Sequence, residues 1–201
     1  MSLDGELREI ALFPPLASGQ QSVPAGLTVD PRSGDVLVAL FSGVIVDEDT
    51  GDVILLIPGD AKVVRVNPET GEFVDEHTGL TAAIDVAMDG LGNLYIVEMT
   101  VAFLDPFPSK FDFFDPGAPP LHGGYQRFSG KVTLYPEDGS PPRVLADGLD
   151  TPTNITLGPD GALYVSTGQG TPGRPIPGPD GPTKIVGEIV RIRNYGSEAD
   201  D

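Results

Sequence analysis

The chain has no cysteine, which excludes disulfides and thiol nucleophiles and is compatible with either redox compartment. Histidine is nearly absent. The two copies, His77 and His122, are too few for a multi-histidine zinc centre. No sequence cue links either to a serine and an aspartate, and Gly-x-Ser-x-Gly is missing, so a hydrolase triad has little support. His77, in Asp-Glu-His-Thr-Gly, reads as an exposed turn residue, which leaves His122 as the one acid–base candidate. There is no phosphate-cradling glycine loop.

Positive charge is also scarce. Twelve Lys and Arg face 30 Asp and Glu, for a net charge of −18 and a pI near 4.2. Such a surface repels nucleic acids and anionic membranes, so neither is expected as a partner. The excess acid reads first as a solubilising surface and second as a capacity for cations. No run approaches the ~18 apolar residues of a membrane span. The polar, acidic start of the chain lacks the basic and apolar regions of a signal peptide. A soluble protein is expected, and export would need a signal outside this sequence. No segment reads as a long amphipathic helix.

What the chain does have is turns and repetition. Its 26 Gly and 21 Pro sit between short apolar, β-rich runs, the pattern of an all-β protein. Residues 24–39, 83–98 and 152–166 each read as strand, tight glycine turn, strand. Gly26, Asp85 and Asn154 hold equivalent places, 59 and 69 residues apart. A third strand follows in each unit, at 62–66, 131–135 and 188–192. The first two units add a Pro-Glu-x-Gly turn, a fourth strand and a closing Gly-Leu pair, Gly79-Leu80 and Gly148-Leu149. Four short antiparallel strands per repeat mark a β-propeller blade. The expected fold is therefore all-β: about three four-stranded blades, half of a six-bladed propeller. The blades fall near 24–80, 81–149 and 150–195. The third lacks its fourth strand, and residues 6–13 at the other end resemble that missing closing strand. Three blades cannot close a ring. Completion is expected from a second copy of the chain or from further chain.

The extra length lies between the second and third strands of every unit, at 41–61, 99–130 and 167–186. Alternating strand direction puts all three loops on one face, where binding of a small molecule or a protein partner is expected. The first loop reads as a hairpin whose Asp47, Asp49 and Asp52 only faintly resemble a calcium loop. The second is rich in proline and aromatic residues around His122 and suits a cap or an apolar pocket. The third reads as irregular. The first strand of a blade lines the central channel. Asp85 and Asn154 near its start, and Glu98 at the end of a second strand, therefore form the sharpest candidate site. Their oxygens would suit a hard cation such as Ca2+.

Residues 143–166, with Gly187-Glu-Ile-Val-Arg-Ile192 and Asn93-Leu-Tyr-Ile-Val-Glu98, resemble the ScyD/ScyE family of propeller proteins. The likeness is good over residues 80–195 and loose over the first blade. It implies a six-bladed propeller, often exported and without an assigned activity. Pro-Asp-Gly-x-Leu-Tyr-Val is also found in NHL-repeat proteins, gluconolactonase-like hydrolases and quinoprotein sugar dehydrogenases. The gluconolactonase-like group places a metal-binding Asn directly after the proline. Here Thr153 holds that place and Asn154 comes one residue later. Nothing in the sequence maps onto the quinoprotein's catalytic His or its cofactor-binding Arg and Lys. The leading expectation is a non-catalytic, NHL-like binding propeller. A calcium-dependent lactonase is the alternative, and a quinoprotein relative the next.

Overall fold

The computed structural model describes residues 5, 7–43, 45–46, 53–54, 56–102, 125–168, 175–176, 183–184 and 186–193. His122, the aspartates 47, 49 and 52, and the aromatic stretch 103–114 lie outside the described residues. All assigned elements are strands. In order they are β1 (Ser22–Val29), β2 (Val36–Ser42), β3 (Ile45–Val46), β4 (Val53–Ile54), β5 (Ala61–Val66), β6 (Phe73–Leu80), β7 (Ala83–Met88) and β8 (Leu94–Glu98). They continue as β9 (Gly130–Tyr135), β10 (Arg143–Leu149), β11 (Asn154–Leu157), β12 (Leu163–Thr167), β13 (Pro175–Ile176), β14 (Thr183–Lys184) and β15 (Glu188–Ile192). Among the described residues no helix is long and apolar enough to cross a membrane.

Three antiparallel sheets follow one another along the chain: β1-β2-β5-β6, β7-β8-β9-β10 and β11-β12-β15. Their first strands neighbour one another, β1 beside β7 and β7 beside β11. Sheets that share an axis through their first strands and stack face to face form a propeller, and three of them make part of one. The alternation of each strand explains the stacking. In β8, Leu94 and Ile96 turn to blade 1 and meet Leu37, Ala39, Ala61 and Val63. Tyr95 and Val97 turn the other way and meet Ile155, Leu163 and Val165 of blade 3. A period of two with both parities apolar is what a sheet buried on both faces requires.

The Gly-Leu pairs have a shared cause. β6 and β10 both slip register near their ends, and Gly79 and Gly148 there adopt positive φ of 75° and 66°. A left-handed residue at a bulge favours glycine. The links that follow repeat a further device. Ala82 and Thr151 hold φ of 52° and 43°, a costly conformation for residues with a Cβ, and both are fully buried.

Residues 7–13 form no ladder; they run over blade 1, with Ala11, Phe13 and the following Leu16 against Val38, Leu40, Val64 and Val66. In the third loop Pro175–Ile176 pairs with Thr183–Lys184. The first loop does carry a hairpin, Ile45–Val46 against Val53–Ile54.

Candidate functional site

The three equivalent positions converge. A register shift between Ala83 and Asp85 kinks the start of β7 and re-aims the Asp85 side chain, as bulges do. Gly26 of β1 lies so close that a Cβ there would overlap Asp85 Oδ1. Only glycine permits that approach. On the other side, Asp85 Oδ2 accepts the Ile155 backbone N–H at 2.8 Å, while Oδ1 accepts the Val86 N–H at 2.9 Å. Asp85 thereby ties the inner strands of blades 2 and 3 together. It is 7% exposed. Burial pushes its carboxyl above the usual range, opposed by the Ile155 and Val86 N–H groups and by Asn154.

Asn154 is exposed, with its Oδ1 3.5 Å from Ser166 Oγ. With Asp85, Thr156, Tyr164, Ser166 and Ile189 it lines an open cavity of about 360 Å3. Register explains the set. Asn154 pairs with Ser166 and Ser166 with Ile189, while Thr156 pairs with Tyr164. Cross-strand partners share a face, here the one turned away from blade 2.

Glu98 does not line this cavity. It is 4% exposed, and both oxygens are engaged, Oε1 by the Thr81 N–H at 2.7 Å and Oε2 by Lys131 Nζ at 2.9 Å. The structure thus brings two of the three expected oxygens together, and Glu98 serves the link between blades 1 and 2. No group of three or more His, Cys, Asp or Glu side chains able to hold a metal occurs among the described residues. Asp85 and the Asn154 amide are hard oxygen donors of the kind Ca2+ takes, but two side chains fall well short of its six to eight ligands.

The long-loop end is partly roofed. Leu56 of the first loop packs with Ala82 and Met99, and Phe41 meets Tyr125 of the second loop edge to face at 6.4 Å. Apart from this contact, the second loop is tied down by Thr100 Oγ1, which donates to the Gln126 carbonyl at 2.9 Å.

Sequence reasoning missed three features. His77 is not an exposed turn residue; it lies within β6, half-buried, with its ring 4.2 Å from that of Tyr135 in blade 2. Burial pulls its pKa below the ordinary value, partly offset by Glu76. The turns opposite the long loops carry ion pairs. Asp30 is nearly fully buried and binds Arg32 at 3.1 Å and Arg65 at 2.8 Å, while Arg32 reaches Glu137 of blade 2 at 2.6 Å. The turn aspartates of the other blades are held too, Asp89 by the Tyr95 hydroxyl and Asp160 by the Tyr164 hydroxyl, each at 2.9 Å, with Asp160 also paired to Arg191. The recurring turn aspartate was the available signal.

No protein-family model matches this chain, and no curated protein matches it. Among solved structures, a gluconolactonase from Xanthomonas campestris aligns with a TM-score of 0.39 and 16% identity, over 74% of this chain and 55% of the other. A putative gluconolactonase aligns with a TM-score of 0.37 and 17% identity, over 73% and 56%. The chain spans just over half the length of these two structures. Likeness at this level leaves its family unassigned.

Proposed function

We propose that the chain is a binding propeller rather than a hydrolase, with its site in the polar cavity between Asp85 and the open face of blade 3. The observation that carries this reading is the lining of the cavity, which beside Asp85 consists of an amide, two hydroxyls, a phenol ring and Ile189. Asp85 is the one carboxylate there; each of its oxygens accepts a backbone N–H at the seam of two blades, which gives it a structural role and leaves one further lone pair on each oxygen. Neutral donors and acceptors beside an apolar surface suit a small, neutral, hydroxyl-rich ligand such as a sugar. The net charge of −18 disfavours anions. A non-catalytic propeller of this kind agrees with the ScyD/ScyE resemblance.

The experiment is a calorimetric titration with D-glucose and D-glucono-1,5-lactone, with lactone hydrolysis assayed with and without Ca2+. Saturable binding is expected, about tenfold weaker in Asn154→Ala, equivalent to the ~1.4 kcal/mol of one good hydrogen bond, with no turnover. Ca2+-dependent hydrolysis abolished by Asp85→Asn would establish the lactonase reading instead. Absence of binding by both compounds would remove the sugar assignment.

A further inference from the structure

We infer that a second copy of this chain completes the propeller, each copy lending its N-terminal segment to the third blade of the other. Among the described residues the third sheet has three strands where the first two have four, and residues 7–13 form no ladder. β6 and β10 form the outer strands of blades 1 and 2, whereas β15 ends blade 3 with its outer edge unpaired among the described residues. Its Ile189 is 77% exposed. An uncovered strand edge is a template for another strand.

Residues 7–13 have the form of that strand. Ala11 and Phe13 turn toward blade 1, where Phe13 meets Phe73 at 5.1 Å, while Ile10 and Leu12 turn outward, Leu12 at 73% exposure. This is strand alternation without a ladder. The course of the segment is informative. Arg8 donates to the Glu69 carbonyl at 3.0 Å, and Ile10 lies against Gly71, both in the turn between β5 and β6. Further on, the Ser18 N–H donates to Asp60 at 3.1 Å, just before β5 begins. The segment therefore climbs blade 1 from its tight-turn end to its long-loop end and then enters the inner strand β1. β6 takes the same course before the inner strand β7. Residues 7–13 thus stand beside blade 1 as the outer strand of a preceding blade.

Two copies of the described residues complement each other, because each offers an extended segment without a ladder and a third sheet with an unpaired edge. Three blades and three blades make six, within the usual range of about four to eight. A two-fold axis makes the two contacts identical and closes the assembly. In the complete blades the outer strand begins opposite the end of the third strand, Phe73 with Val66 and Arg143 with Leu134. Closure also finishes the cavity. Tyr164, Ser166 and Ile189 lie on the face that a fourth blade would cover, so the second copy supplies the missing wall.

The test is the solution mass of the purified chain and of two variants, Glu9→Pro and Ile10→Pro. Backbone N–H groups of adjacent strand residues point to opposite edges, so one of the two prolines removes a ladder donor. Both leave Ala11 and Phe13 in place. The expected result is a mass twice the 21.1 kDa of the chain, with dimerisation at least tenfold weaker in one variant and an unchanged circular dichroism spectrum. A folded monomer across the accessible concentrations overturns the inference, as does a dimer indifferent to both prolines. Neither readout depends on any ligand.

Discussion

The seam between blades 1 and 2 and the open face of blade 3 are built at the same positions and from different chemistry. Register makes the comparison direct. On the face of each blade turned toward the next, Leu37, Tyr95 and Tyr164 are equivalent, as are Ala39, Val97 and Ser166, and Val63, Val132 and Ile189. Where a blade follows, the positions are filled by Leu37, Ala39 and Val63, then by Tyr95, Val97 and Val132, all fully buried or nearly so. Where the described chain ends, a hydroxyl replaces a methyl-bearing side chain and Ile189 is left in water. Blade 1, at the opposite end, is not left bare in this way, because residues 11–16 cover its Val38, Leu40, Val64 and Val66. The stack has one dressed end and one open end. The polar cavity is the place where the repeated apolar pattern gives way.

The sharpest way to break that comparison is to shorten one residue at each place. Leu37→Ala opens a hole in the closed seam and is expected to cost about 2–5 kcal/mol, the range for a fully buried leucine. Ile189→Ala removes a side chain that already touches water and is expected to stay within about 0.5 kcal/mol in the monomer. Urea unfolding with each variant at low concentration reads both. Comparable losses would mean that blade 3 is already covered in solution.

The turn end of the same seam gives the next largest effect. Arg32 lies over Gly92, where a Cβ would overlap the guanidinium, and bridges Asp30 to Glu137 across the two blades. Hydrogen bonds from Arg32, then Arg65, hold the Asp30 carboxyl far below the usual range, and burial only partly opposes them. In blade 3, Arg191 holds Asp160 at about 2 in the same way, but no further blade is tied in. A carboxyl whose folded pKa is depressed stabilises the fold above its unfolded value of 3.8, and that contribution fades as pH falls below it. Asp30→Asn is expected to lower stability by about 1–2 kcal/mol at neutral pH, a figure kept small because both arginines keep contact with water. It should also flatten the loss of stability on acidification below pH 3.8. Asp160→Asn should flatten a narrower window, from 3.8 to about 2. Thermal melts across that range measure both.

The scaffold was legible because blades advertise themselves locally. Alternation, a glycine turn and a Gly-Leu exit recur three or two times, and each follows from the geometry of one strand pair. The equivalence of Gly26, Asp85 and Asn154 was legible for the same reason. Their roles were not. Whether Asp85 is free or tied depends on the bulge before it and on an N–H group 70 residues away. The engagement of Glu98 depends on Lys131, its neighbour across β9. The sequence of residues 6–13 suggested an unpaired strand, and its packing across the face of blade 1, through Ala11 and Phe13, was not legible from the alternation alone. His77 was misread because polar neighbours surround it in sequence while Tyr135 covers it in space.

His77 offers the finest test of the closed seam, since it joins the outer strand of blade 1 to the third strand of blade 2. Burial favours the neutral imidazole, Glu76 pulls the other way, and Arg65 adds to the depression. A histidine whose folded pKa lies below its unfolded 6.5 stabilises the fold fully above that pH, and the contribution declines as pH falls through the window beneath it. His77→Phe keeps a ring against Tyr135 and removes the proton. The variant should match the parent above pH 7 and lose the decline that sets in as pH falls below 6.5, where His is the side chain that titrates. Asp85 at the open face acts in the opposite sense: burial raises its carboxyl above 3.8, so its contribution is present at low pH and is lost as pH rises. A decline on acidification that persists in His77→Phe would therefore come from neither residue and would remove His77 as the sensor of the closed seam.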